Sequence, residues 1–345
     1  MKLAVLGLGF MGSTHLKALK AIPDVTVAAV CSDVEASLTG DLTAIQGNIG
    51  GPGERFDFSN VKGYREVEPI LADPEIEAVD ICLPTHMHAA VAIEALRAGK
   101  HVLVEKPMAL DGTAADRMIE EAERSGKVLM AAQVLRFIPA YAGLRGAVAG
   151  GALGLVRSAV FRRRCAAPFW SSWLADASKS GGGVFDLLIH DIDMAIHLFG
   201  LPESVEASGY ENMAAGIDII HAELFYSHGG SVLITGGWHH PKSYPFSMEY
   251  TVVCDAGTVD FGSEGRPPTL YRANGEIEQL NLPEVDGYAA EVRYFVECCR
   301  EGVQPSICPP SESAAAVKLA RLILEARNNN GERLACDRLM RSKSA

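Results

Sequence analysis

Residues 3–12 read LAVLGLGFMG. The apolar run 3–6 has the length of a short buried strand. It passes directly into Gly7, Gly9 and Gly12, spaced as G-x-G-x-x-G. Residues 13–21 follow with a helical pattern, and 25–30 (VTVAAV) is a second strand pattern. The glycines therefore sit at the strand-to-helix turn of a βαβ unit. Gly7 permits the tight turn, Gly9 lets the backbone approach a pyrophosphate, and Gly12 lets helix and strand pack closely. Free N–H groups at the helix start, around Phe10 and Met11, would face the phosphates. A close-packing glycine loop would show the same spacing, but its place on a first strand favours a dinucleotide.

The second strand leads to Ser32 and Asp33, near the ~20-residue offset at which an acid meets the adenosine ribose. No Lys or Arg lies between 31 and 39. That favours NAD, while Ser32, standing where the acid is most expected, leaves NADP open. Strand patterns recur at 78–83, 101–104 and 128–132, with helical patterns at 64–72, 89–98 and 112–125. This alternation predicts a doubly wound parallel sheet over 1–132, binding ligands at its carboxyl edge. LPTHMH (83–88) and EKP (105–107) fall at that edge. Leu83, Pro84, Thr85, His88, Glu105 and Lys106 therefore join the expected cofactor site. The glycine-rich stretch 40–63 reads as a surface loop near the adenosine. His86 and His88 lack an evident third ligand, so no metal is expected there.

Past 132 the rhythm changes. A helix is expected at 138–148, a strand at 155–163, and a loop at 166–180 carrying Phe169, Trp170 and Trp173. Six strands then follow one another at 204–210, 217–226, 231–238, 249–254, 258–261 and 269–272. Helices 287–300 and 311–327 close the chain and can pack back on the first domain. The fold class is α/β: an N-terminal Rossmann domain, 1–132, and an α+β domain, 133–345, with a large, mostly antiparallel sheet.

Within the second half, 181–200 reads GGGVFDLLIHDIDMAIHLFG. A helix this apolar on nearly every side is buried. Asp186, His190, Asp193 and His197 fall within a wedge of roughly 60° on an α-helix. Asp186 and His190, one turn apart, suit a carboxylate orienting a histidine for proton transfer. Internal Asp–His pairs without chemistry are the plain alternative, and Asp193 with His197 reads that way. Trp170 and Trp173 are expected either to stack on an apolar ligand face or merely to pack, and Arg136 to touch substrate or anchor the domain junction.

The chain has 345 residues, 48% hydrophobic and 21% charged, with net charge −12. An acidic chain without a basic run is a poor partner for nucleic acid or anionic membrane. The short run Arg162, Arg163, Arg164 reads as a sheet-edge or interface feature. No apolar run approaches the ~20 residues of a membrane helix, and the N-terminus lacks a cleavage site. Eight cysteines without a Cys-x-x-Cys suggest a reducing, cytoplasmic setting.

Four marks in order resemble the Gfo/Idh/MocA oxidoreductases: GLGFMG at 7–12, LPTHMH followed by ALRAGKHV, EKP at 105–107, and GGGVFDLLIHDID at 181–193. The Asp-Leu-Leu-Ile-His form is especially similar to the inositol dehydrogenase branch. The resemblance implies that Lys106 lies beside the nicotinamide and the reacting carbinol. It implies that His190 transfers the proton with Asp186 in support, and that Pro84 and His88 lie near the nicotinamide. It also implies an open-faced C-terminal sheet that forms a homodimer or homotetramer.

Oxidising a secondary alcohol requires its proton to leave with the hydride, and histidine suits that task. A lysine on the same oxygen would stabilise developing alkoxide charge. A divalent metal on Asp186 and His190 would leave Lys106 unexplained. The expected activity is an NAD(P)-dependent dehydrogenase of a sugar, inositol or sugar derivative. The rivals are a redox glycosidase that keeps its NAD and a non-catalytic NAD-binding regulator, which should have lost Lys106, Asp186 or His190.

Overall fold

Strands at 78–81 and 129–132 are buried at every position, as expected of a parallel sheet covered on both faces. The computed structural model describes residues 1–47, 53–168 and 171–337. Gly50, Gly51, Phe169 and Trp170 of the loops noted above lie outside them. The chain divides into two units, Met1–Val134 with Val285–Ala314, and Leu135–Glu284 with Ala315–Ala345.

The first unit contains β1 (Lys2–Leu6), α1 (Phe10–Lys20), β2 (Thr26–Cys31), α2 (Glu35–Leu38), β3 (Lys62–Tyr64), α3 (Glu68–Ala72), β4 (Ala78–Ile81), α4 (Thr85–Arg97), β5 (His101–Glu105), α5 (Gly112–Ser125) and β6 (Leu129–Ala132). All six strands are parallel, in the order β3-β2-β1-β4-β5-β6. The order reverses between β1 and β4, which makes the mouth above their carboxyl ends the ligand crevice. Two expectations change. Residues 62–64 form an edge strand that its Lys-Gly content disguised, so the helix expected at 64–72 shortens to α3. The helix expected at 89–98 starts at Thr85, where Pro84 occupies the N-cap with its preset φ of −57°. Thr85 and His88 thus belong to a first helical turn and not to a loop.

The second unit contains α6 (Pro139–Ala149), β7 (Val156–Cys165), α7 (Ala177–Ser180), α8 (Ile189–Phe199), β8 (Ser204–Asn212), β9 (Ile217–Phe225), β10 (Ser231–Trp238), β11 (Ser247–Cys254), β12 (Gly257–Gly262), β13 (Arg266–Arg272) and β14 (Ile277–Gln279). The chain ends with α9 (Gly287–Glu301), α10 (Pro310–Asn328) and β15 (Leu334–Ala335). The sheet runs β14-β13-β12-β11-β7-β10-β9-β8-β15. Its pairs are antiparallel except β7 with β10. Burial alternates along β7 and β10, the mark of a sheet with one covered face.

This alternation separates the three arginines. Arg162 and Arg164 both bind Glu249, while Arg163 turns to the covered face and forks onto Asp191 at 2.8 and 3.0 Å. Because β7 is a central strand, the sheet-edge reading of this run is corrected.

Residues 285–314, expected in the C-terminal domain, cluster with the first unit. The cause is α9, which buries Val292, Phe295 and Val296 and packs on α1. Among the described residues no helix is long and apolar enough to cross a membrane.

Candidate active site

At the glycine turn, each glycine has a different constraint. Gly7 has φ +96°, and a Cβ there would lie 2.5 Å from the Cys82 carbonyl oxygen. A Cβ on Gly12 would lie 2.0 Å from the Gly7 oxygen. Packing within the protein therefore demands both. A Cβ on Gly9 would meet nothing within 4 Å. Gly9 is also the N-cap of α1 and provides no side-chain cap. Open space in front of bare helix N–H groups fits a pyrophosphate. Phe10 and Met11, expected at the phosphates, are half-buried in the first turn of α1, and the Phe10 ring lies against Gly47.

At the end of β2, Ser32 is buried and its Oγ accepts the Val34 N–H at 3.2 Å. Asp33 is exposed. Arg65 Nη2 donates to the Asp33 carbonyl at 3.1 Å. A search for cations over 31–39 misses Arg65, because pairing of β3 with β2, with Tyr64 opposite Cys31, brings it there.

The carboxyl ends of β4 and β5 hold a buried charged chain. Asp80, fully buried in mid-strand, lies 2.8 Å from His15 Nδ1 on α1, and His15 Nε2 lies 3.1 Å from Glu105 Oε1. Glu105 Oε2 accepts the Lys106 backbone N–H at 2.9 Å. The Lys106–Pro107 peptide is cis, and Lys106 itself is partly exposed. Burial pulls the His15 pKa down, but Asp80 and then Cys82 more than offset it, leaving it well above 6.5. Burial pushes Glu105 up, and His15 and Lys106 more than reverse this. Sequence reading missed His15 and Asp80. The available signal was a lone aspartate inside an otherwise apolar central strand, which requires a buried partner.

His88, expected to touch the cofactor, is 1% exposed. Its Nδ1 lies 2.8 Å from the Pro107 oxygen and its Nε2 2.7 Å from the Leu83 oxygen. Its place is between the two strand-end turns, which it ties together. Thr85 is likewise buried, while Leu83 and Pro84 are half-buried.

In the second unit the three glycines bend the chain around Asp218. Gly181 and Gly182 have φ of +80° and +83°, and a Cβ on Gly182 would come within 2.6 Å of the Asp218 carboxylate. That carboxylate accepts the Gly183 N–H at 2.6 Å and the Val184 N–H at 3.3 Å. The expected single α-helix begins instead as a π turn, Val184–Leu188, and becomes regular at α8.

The expected polar stripe is altered. Asp186, His190 and His197 are half-buried, but Asp193 is fully buried and pairs with Arg136 at 2.6 and 2.8 Å. Arg136, expected at the substrate or the junction, is 4% exposed and turns its fork to Asp193. Trp173 is half-buried in the turn ahead of α7.

The family models match both halves of the chain. Residues 1–133 match the Gfo/Idh/MocA oxidoreductase family, NAD-binding Rossmann fold, and residues 141–260 match the Gfo/Idh/MocA C-terminal domain. An uncharacterized oxidoreductase of Rhizobium meliloti is 35% identical over 64% of this chain and 65% of its own length. Myo-inositol 2-dehydrogenase of Thermotoga maritima is 32% identical over 65% of this chain and 60% of its own. The chain thus spans less than two thirds of these relatives. Levoglucosan dehydrogenase in complex with NADH and L-sorbose superposes with a TM-score of 0.84 at 20% identity, covering 97% of this chain and 98% of that one. This likeness concerns the fold alone. With the glycine turn, EKP and the Asp–His helix each in place, the chain belongs to the Gfo/Idh/MocA oxidoreductase family, with an NAD-binding Rossmann domain at its N-terminal end.

Proposed function

We propose that the protein is an NAD(P)-dependent dehydrogenase acting on a ring secondary alcohol of a sugar, inositol or sugar derivative. The observation that carries this reading is Lys106. It is partly exposed at the carboxyl end of β5, on the sheet edge that holds the glycine turn, with its backbone fixed by Glu105. Bound NAD(P) supplies the redox-active ring. Lys106 places a positive charge on the reacting oxygen and stabilises it as it becomes an alkoxide. His190 takes up the hydroxyl proton, and Asp186, in the π turn before it, orients the imidazole. A π turn is a common device for aiming side chains at functional sites. Trp173 is proposed as an apolar platform for the sugar ring. Exposed Tyr210, Val253, Tyr271 and Ile277 in strands of the nine-stranded sheet support assembly into a homodimer or homotetramer, which light scattering after gel filtration would test.

The activity test follows near-ultraviolet absorbance of reduced nicotinamide with NAD and NADP, across inositols, aldoses, sugar acids and aryl glycosides. Growth of signal with a polyol or sugar is the expected result. Glycoside cleavage with a retained cofactor and no net signal would replace this reading by a redox glycosidase. Lys106→Ala and His190→Ala should each abolish turnover and leave NAD affinity within about threefold, since neither removes a pyrophosphate contact.

A further inference from the structure

The buried chain beneath Lys106 has a composition that packing alone does not require. His15 presents each ring nitrogen to a carboxylate oxygen, Asp80 at 2.8 Å and Glu105 at 3.1 Å. Nδ1 is hydrogen-bonded to Asp80, while Nε2 lies at ion-pair distance from Glu105 without hydrogen-bond geometry; two carboxylate neighbours favour the charged imidazolium. All three side chains are at least 93% buried, so an uncompensated charge among them would be costly. Cys82 Sγ lies 3.6 Å from His15 Nδ1, and burial keeps it a thiol. His88, on α4, turns its ring nitrogens to the Pro107 and Leu83 carbonyl oxygens, and burial lowers its pKa, which favours the neutral ring and adds no charge to this group. A shared cation would need its nitrogen and oxygen ligands about 3.3 Å apart, whereas His15 and Asp80 are in direct contact at 2.8 Å.

We infer that His15, an imidazolium held between Asp80 and Glu105, is a positioning and charge-balancing residue for Lys106. It fixes the Glu105 carboxylate, whose second oxygen holds the Lys106 backbone at 2.9 Å. Two carboxylates, one imidazolium and one ammonium then sum to zero at the end of β5. His15 also lies on α1, two turns from the Gly9 cap, so the helix that faces the pyrophosphate also sets the lysine. The role in catalysis rests on the function proposed above, whereas the charge balance does not.

The test needs no substrate. Lys106 of the full-length protein is acetylated with acetic anhydride at fixed pH, and its rate is read from the peptide by mass spectrometry. His15→Gln leaves both carboxylates to hold the Lys106 proton, so acetylation should slow about threefold or more. Glu105→Gln should accelerate it by a similar factor. The charge-balanced double variant His15→Gln with Asp80→Asn should return it to the wild-type rate. Folded variants that all shift in one direction, or do not shift, would overturn the inference. If His15→Gln does not fold, the wild-type protein with nitrogen-labelled histidine provides the test by NMR. Both His15 ring nitrogens should be protonated above neutral pH, and a neutral ring overturns the inference. A negative dehydrogenase assay leaves both measurements intact.

Discussion

Arg65 donates a hydrogen bond from Nη2 to the backbone carbonyl of Asp33, 3.1 Å away across 32 residues of sequence. A guanidinium thus stands beside the carboxylate residue expected at the adenosine ribose. The first favours a 2′-phosphate and the second a 2′-hydroxyl. Arg65→Ala should weaken NADP about tenfold and leave NAD within about twofold, the worth of one charge-assisted contact. Asp33→Ala should weaken NAD more than NADP. Titration of both cofactors in their reduced forms by nicotinamide fluorescence checks the pair, and equal losses in either variant would remove that residue from the ribose.

The glycine turn makes a contrast between two single methyl groups. Gly9→Ala meets no protein atom, so thermal unfolding should barely change while NAD affinity falls about tenfold or more through the lost phosphate approach. Gly12→Ala drives a Cβ to 2.0 Å from a backbone oxygen. It should lose upwards of about 3 kcal/mol of stability before any effect on the cofactor can be read. Equal stability loss in both variants would contradict this division.

The Arg136–Asp193 fork is fully buried, with side chains 0% and 1% exposed. Arg136→Met leaves a buried carboxylate without its guanidinium and should cost about 3–5 kcal/mol in urea unfolding. Adding Asp193→Leu should recover most of the loss, because the pair's own net contribution is small once both charges are gone. A variant at Arg136 with intact stability and a raised KM would instead return this residue to the substrate.

Stability should carry the signature of His15. Its folded pKa stands well above 6.5. Its contribution is therefore complete below about pH 6.5 and declines as pH rises toward the folded value, by about 1.4 kcal/mol per unit. The stability gap between wild type and His15→Gln should narrow over that alkaline range. Urea unfolding at a series of pH values measures the gap, and a gap independent of pH would show a neutral ring.

Much of the first unit was readable because β1, β4 and β5 are buried apolar runs that pass into turns carrying Gly7, Pro84 and Pro107. Edge strand β3 was hidden because Lys62 and Gly63 carry no apolar signal. The helix after the three glycines was readable as buried, but not as a π turn, since hydrophobic periodicity is insensitive to one extra residue per turn. The roles of Arg136 and Asp193 were obscured for another reason. Spacing along one helix points only to neighbours one turn away, while Arg136, which binds Asp193, comes from 57 residues earlier. His15 was passed over because a histidine on a helix announces itself only when the facing strand shows an acid, and that pairing spans 65 residues.

The π turn at Val184–Leu188 lies between two fixed points. Upstream, the glycine bend is tied to Asp218, which Arg327 also grips at 2.6 Å. Downstream, α8 is tied by Arg163 to Asp191 and by Arg136 to Asp193. The surplus residue of the wider turn is therefore slack stored between two clamps, and Asp186 stands within it. Divergence among descendants of such a chain can re-aim that carboxylate by adding or removing one residue, rotating it about 100° at a time, while the sheet and the rest of the helix keep their register.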